Sequence, residues 1–252
     1  MHNKKYNIIA TDRLHTDKLK QCFEGKNVFK TIDIASFYRG FEPDLNSTTI
    51  NWRIYNLVEK GVLERIGKGV FKIGKTWIFV PNMDNKTRSI CNKLQSAFPF
   101  STFCVWNTSL LNEFSIHISN NHFTLVEVEK ESMESVFLFL KEKYNIVFLN
   151  PNSDILEQYV FNANNPIIVK PLISEAPLKK TKNANTPTIE KILVDLFCDE
   201  NLFQFYQGRE RNTIFKEAFA KYTINNTKLL RYASRRGKKK ELEKYINQII
   251  GK

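Results

Sequence analysis

The chain has 252 residues, a formal net charge of +12, 42% hydrophobic and 25% charged side chains. That balance predicts a soluble globular protein of about two domains and excludes a disordered chain. Apolar runs such as Val136–Leu140 reach only five residues, against the roughly twenty a membrane-spanning helix needs.

The N-terminal stretch Met1–Asn7 leads into a three-residue apolar run, too short for the core of a secretory signal. Cys22, Cys91, Cys104 and Cys198 lie far apart with no C-x-x-C pair. Reduced thiols in a cytoplasmic protein are therefore expected, with neither a zinc ribbon nor a disulfide frame.

Charge is unevenly spread. Residues 1–80 carry 14 basic and 8 acidic side chains, residues 81–176 carry 7 and 10, and residues 177–252 carry 17 and 8. Two basic ends suit phosphate neutralisation on nucleic acid. The 28 lysines and 26 asparagines equally suit the codon bias of an AT-rich genome, so charge alone leaves both readings open.

In chain order, Thr16 to Phe23 reads as a helix stopped near Gly25, and Thr31 to Arg39 as a second one stopped at Gly40. The turn Phe41-Glu42-Pro43-Asp44 precedes Asn46-Ser47-Thr48-Thr49, a cluster of capping residue types. A third helix runs on to Lys60. Val62 to Ile66 and Val70 to Ile73 then form a hairpin turned at Gly67-Lys68-Gly69.

Beyond it, helices are expected over Asp84 to Phe98, Thr108 to Phe114, Ser132 to Tyr144 and Ser153 to Phe161. Strands are expected over Phe103 to Trp106, Phe123 to Glu129, Ile146 to Leu149 and Ile167 to Lys170. The Lys-, Asn-, Pro- and Thr-rich stretch from Ser174 to Thr188 reads as a long loop, and four helices follow it to about Ile250. The fold class is α+β: an N-terminal winged helix-turn-helix over residues 1–80, then a domain over 81–252 with a small mixed sheet and a helical end. A further division near 174–188 is left open.

Three helices and a glycine-turned hairpin in about 65 residues are the winged-helix pattern. At 100° per residue, Ile50, Ile54, Leu57 and Val58 share the core side of the third helix. Thr48, Thr49, Trp52 and Asn56 lie opposite, with Asn51 and Arg53 on the flanks. In this fold the third helix enters the major groove. There Asn pairs with adenine, Arg with guanine, and threonine or tryptophan meets a thymine methyl. Ser47 and the helix-start amides suit a phosphate, and Arg65 and Lys68 on the hairpin would track the backbone or minor groove. Arg53→Ala is accordingly expected to weaken operator binding and relax one base preference. Two alternatives stand beside this: a protein-docking module anchored by Trp52, or Trp52 packed against the hairpin as core.

The segment Thr49–Phe71 resembles the winged helix of AbiEi-type antitoxins of abortive-infection (type IV) toxin–antitoxin systems. Ile189–Phe197 resembles that family's Glu-Lys-x-Leu-x-Asp-Leu helix, and Leu229–Gly237 its closing segment. The resemblance implies a cytoplasmic bacterial antitoxin that represses its own operon and opposes a nucleotidyltransferase-like toxin encoded beside it. It further implies a non-enzymatic C-terminal domain serving both repression and antitoxicity. The partners expected are the double-stranded operator DNA and that toxin, with no membrane and no cofactor, and a monomer in solution that binds cooperatively on DNA.

Near the C-terminus, Lys228, Arg231, Tyr232 and Arg235 form one stripe of a helix from Asn226 to Arg236, opposite Leu229, Leu230 and Ala233. With Arg236 they are candidates for a second nucleic-acid contact; a solvated charged face is the alternative. Leu242, Tyr245, Ile246 and Ile249 have core spacing. Glu190 and Asp195 lie about 140° apart around a helix, so capping or ion pairing is their expected role.

An enzyme is the weaker reading. A restriction-type site needs an acid and Glu-x-Lys on one strand face, but Lys130 points away from Glu127 and Glu129. His117 and His122 lack neighbouring ligands, so no metal is expected, and no phosphate loop, nucleophile elbow or dinucleotide motif occurs. A DNA-binding antitoxin is thus the first expectation. A stand-alone winged-helix regulator and a nuclease follow it.

Overall fold

The computed structural model describes residues 13–75, 77–119, 121–180 and 185–251. Residues Met1–Asn7 and residues 181–184 of the expected loop lie outside that set. The chain is α+β and divides into two compact units. One holds the described residues up to Phe79 together with Lys221–Thr227, and the other holds Val80–Ala220 and Lys228 onward.

The first unit contains α1 (Thr16–Cys22), β1 (Phe29–Lys30), α2 (Thr31–Arg39), α3 (Ser47–Glu59), β2 (Leu63–Gly67) and β3 (Val70–Ile73). The strands form an antiparallel sheet in the order β1-β3-β2. α3 begins where its sequence offers a cap: the Asn46 side chain accepts the Thr49 N–H at 2.8 Å. One core joins Leu19, Phe29, Ile34, Tyr38, Ile50, Ile54, Leu57, Leu63 and Phe71, with Val58 packed against it. The hairpin turns at Gly69, whose φ of 68° suits glycine. Gly74 has a different reason to be glycine, since a Cβ there would meet the Gly61 carbonyl oxygen at 2.2 Å. Thr223 ties Lys221–Thr227 into this unit. It accepts the Lys75 N–H at 2.8 Å and donates its hydroxyl to the Gly61 carbonyl at 3.2 Å.

The second unit is built on six strands: β4 (Phe103–Asn107), β5 (Thr124–Val128), β6 (Val147–Leu149), β7 (Ile167–Pro171), β8 (Leu178–Lys180) and β9 (Asn185–Pro187). Their order is β6-β7-β5-β4-β9-β8, with β6, β7 and β5 parallel and β4 antiparallel to β5. The expected loop from 174 to 188 is therefore corrected. β9 pairs with β4, and β8 adds to β9 as an antiparallel edge. Lys179 and Lys180 are exposed on that edge, where charge discourages pairing with another chain.

Strand periodicity separates two faces. Phe103, Val105, Val126, Val128, Ile167 and Val169 pack with Ile90, Cys91 and Leu94 of α4 (Asn85–Ala97) and with Val136 and Leu140 of α5 (Met133–Lys141). Cys104, Trp106, Glu127 and Lys170 alternate with these residues and so point to the opposite face. The expected helix after β6 is α6 (Ser153–Ile155), which passes into a π-type turn over Leu156–Val160. The helical end comprises α7 (Ile189–Cys198), α8 (Arg209–Lys221), α9 (Asn226–Arg235) and α10 (Lys239–Ile249). None of the described helices is long and apolar enough to cross a membrane.

Candidate nucleic-acid interface and the buried ion network

The outward side of α3 is defined by what its inward side does. With Ile50, Ile54 and Leu57 buried, Ser47, Thr48, Asn51, Trp52 and Tyr55 are left exposed. Trp52 is 54% and Tyr55 61% accessible, so Trp52 is not packed as core against the hairpin. Thr48, Asn51, Trp52 and Tyr55 follow i, i+3, i+4, i+7 spacing and form one continuous stripe. Tyr55 was missed by the sequence reading, although its spacing from Asn51 and Trp52 carried the signal. Thr49 is half-buried at the cap, and the half-buried Asn56 donates its amide to the Trp52 carbonyl at 2.8 Å.

Arg53 is a correction. Expected on a flank of the reading face, it is only 5% accessible. Its Nη2 donates to both carboxylate oxygens of Glu42 at 2.8 and 3.0 Å, and its guanidinium lies 4.7 Å from the centre of the Tyr38 ring. A planar cation with a long aliphatic stem gains from such stacking while its charge is balanced locally. Tyr38 in turn donates to the Leu14 carbonyl at 2.7 Å, and burial pushes its phenol well above its usual range. Arg53→Ala is therefore expected to destabilise the first unit by roughly 1–2 kcal/mol, mainly through lost packing, because Glu42 is partly open to solvent. Thermal denaturation followed by circular dichroism checks this. An unchanged melt combined with altered base preference on DNA would return Arg53 to the outward side where it was expected.

On the hairpin, Lys68 is exposed near the tip. Arg65 departs from expectation: it is half-buried, with its guanidinium 5.2 Å from the centre of the Phe71 ring, its cross-strand partner.

In the second unit, three acids and three bases meet on the sheet face away from α4 and α5. Lys191 on α7 is fully buried, and its Nζ donates to Glu127 of β5 at 2.5 Å and to Asp195 at 2.6 Å. Lys191 and Asp195 are four apart and share one helix face. Trp106 Nε1 donates to the same Glu127 oxygen at 3.0 Å. Tyr232 donates its hydroxyl to Asp195 at 2.8 Å, and Arg236 bridges Asp195 at 2.9 Å and Asp199 at 2.5 Å. Lys170 of β7 completes the set at 2.6 Å from Asp199. Burial alone would lower the Lys191 pKa, but Asp195 and Glu127 outweigh it and hold the ammonium charged. Asp195 thus takes the ion-pairing role expected of it.

The predicted second basic contact is corrected by the same contacts. Tyr232 is fully buried and Arg236 is half-buried within the network. The docked face of α9 reads Leu229, Tyr232, Ala233 and Arg236, at i, i+3, i+4, i+7. Arg231 and Arg235 are exposed but grip Glu175, which has a left-handed φ of 59°. Lys228 is half-buried.

A cavity of about 670 Å³ opens beside this network, lined by Asn150, Ser153, Lys170, Cys198, Asp199 and Lys238 among others. Its polar groups are largely paired with one another, as Lys170 with Asp199 and Ser153 with Asn201. Burial pushes the Cys198 thiol up to about 11 despite Arg236, which leaves it a poor nucleophile at neutral pH. Among the described residues no group of three or more His, Cys, Asp or Glu is placed to hold a metal ion.

Burial would raise the Asp199 pKa, yet Lys170 and Arg236 outweigh it and the net shift is downward. A lowered folded-state pKa contributes stability that is complete above the unfolded carboxylate range and lost as pH falls through the folded value. Urea midpoints measured from pH 7 to 3 should therefore fall below about pH 4. In Asp199→Asn that share of the acid decline should be missing; an unchanged acid profile would remove Asp199 from the stabilising set.

A search of curated proteins finds no match. Residues 49–252, from the first turn of α3 through α10, match a family of unknown function (DUF6577). The matched span takes in Asn51, Trp52 and Tyr55 of the outward stripe of α3, the hairpin and every member of the ion network, and the chain belongs to that family.

Proposed function

We propose that the first unit is a winged helix that binds duplex DNA, and that the protein is a repressor of its own operon acting as an antitoxin. One observation carries the DNA reading: the outward stripe of α3, beginning at a capped N-terminus and set beside a hairpin with Lys68 near its tip. Hydroxyl, amide and aromatic groups presented by the first turns of a third helix are what base edges require. Helix-start amides and the basic excess of residues 1–80 favour the phosphates on either side. The antitoxin part rests on the resemblance of Thr49–Phe71, Ile189–Phe197 and Leu229–Gly237. The last two segments meet at Asp195, through Tyr232 and Arg236.

The test is fluorescence anisotropy on a duplex from upstream of the protein's own gene, with a salt titration. The double variant Thr48→Ala/Asn51→Ala should lose roughly 5- to 150-fold in affinity. Lys68→Ala should weaken all duplexes alike and reduce the salt slope by about one. Unchanged binding in the double variant would take α3 out of the interface. For the antitoxin part, co-expression should relieve growth arrest by a nucleotidyltransferase-like protein encoded alongside. Failure to do so would leave a stand-alone regulator.

A further inference from the structure

We infer that α3 reads A·T base pairs, through adenine edges and thymine methyl groups, and makes no guanine contact; this rests on the DNA-binding reading above. The commonest guanine reader in proteins is a long cation donating two hydrogen bonds to O6 and N7. α3 contains one basic residue between Ser47 and Glu59, and that residue is Arg53. Its guanidinium is buried, bonded to Glu42 and stacked on Tyr38. Releasing it would give up the pairing with Glu42 and open the packing over a core tyrosine, so it is not a group held ready for a base.

What remains outward has a different chemistry. Asn51 offers an amide whose N–H and C=O match adenine N7 and N6. Thr48, Trp52 and Tyr55 lie on the same stripe and present methyl and aromatic surface, which complements the thymine methyl of the paired or neighbouring base. Asn56, the other amide of the helix, is turned back onto the Trp52 carbonyl. Glu59, an acceptor suited to cytosine, sits on the last turn, about 18 Å along the axis from Ser47. Charge complementarity to the phosphates comes from outside the stripe, from Lys60 at the helix end and Lys68 on the hairpin, both exposed.

The experiment is selection of binders from a randomised 14-base-pair duplex pool by the full chain, followed by base-analogue substitution in the enriched duplex. The expected result is a run of A·T pairs at the core of the site. Replacing the contacted adenine by 7-deazaadenine should weaken binding by roughly fivefold or more, and replacing thymine by deoxyuridine by roughly two- to fivefold. Asn51→Ala should abolish the first sensitivity and Trp52→Ala the second. Both side chains are exposed, so neither change threatens the fold. Enrichment of guanine with sensitivity to 7-deazaguanine would overturn the inference and leave the DNA-binding reading standing. Retention of no duplex at low salt would overturn both.

Discussion

Lys191→Ala is expected to cost the second unit about 3–5 kcal/mol, the range found when one member of a buried ion pair is removed. At the size of this unit that corresponds to a fall in melting temperature of about 6–20 °C. The ammonium is fully buried and bonds Glu127 and Asp195 together. Without it Asp195 retains Tyr232 and Arg236, whereas Glu127 keeps only the Trp106 N–H among the contacts described above. The larger share of the penalty therefore falls on Glu127, a carboxylate left charged in a dry interior. The double change Lys191→Met/Glu127→Gln removes both charges at similar volume and should recover most of the loss. Differential scanning calorimetry of the two variants decides the matter. A single variant within 1 kcal/mol of the parent would show that the network is not what holds α7 on the sheet.

Ile54→Ala should have an effect of comparable size in the first unit, about 2–5 kcal/mol for a large-to-small change in a packed core. Ile54 is buried on the inner side of α3, in the cluster shared with Leu19, Ile34, Leu57 and Phe71. A unit this small has little stability to spare, so a large unfolded fraction at 37 °C is expected, and under the proposed function DNA affinity falls in proportion. Circular dichroism should show the melt moving, whereas Thr48→Ala and Asn51→Ala should change affinity and leave the melt within about 0.5 kcal/mol of the parent. The two faces of one helix thereby become separable by measurement. Coincident loss of melt and affinity in the surface variants would mean that Thr48 and Asn51 support the fold rather than read a ligand.

Legibility in the sequence followed the range of the interactions. α1, α2, α3 and the hairpin lie close to where spacing, the Asn46 cap and the glycine turn place them. Side chains whose direction depends on a distant partner were misread. A charged residue on a helix flank is expected outward, yet Arg53 turns in because Glu42 and Tyr38 stand where it can meet them. On α9, assigning Tyr232 to a basic surface stripe obscured the docked face that Leu229, Tyr232, Ala233 and Arg236 share. The Lys- and Asn-rich stretch after Ser174 has loop composition. It became two short strands because β4 presented an edge to pair with, and backbone hydrogen bonding takes little account of composition.

The amino-acid order by itself determined where the helices begin, which aliphatic residues of α3 turn inward, and which hydroxyl, amide and aromatic groups are left on its outer side. These properties depend on neighbours three or four residues away, through caps and helical periodicity. The tertiary structure decided which charges are available to a ligand. Arg53 and Arg236 were drawn inside, and Lys68 was left out on the hairpin. The reason is that Coulombic and hydrogen-bond partners are selected by distance in space, and Glu127, Lys191, Asp195, Tyr232 and Arg236 become neighbours only once α7 and α9 have closed over the sheet.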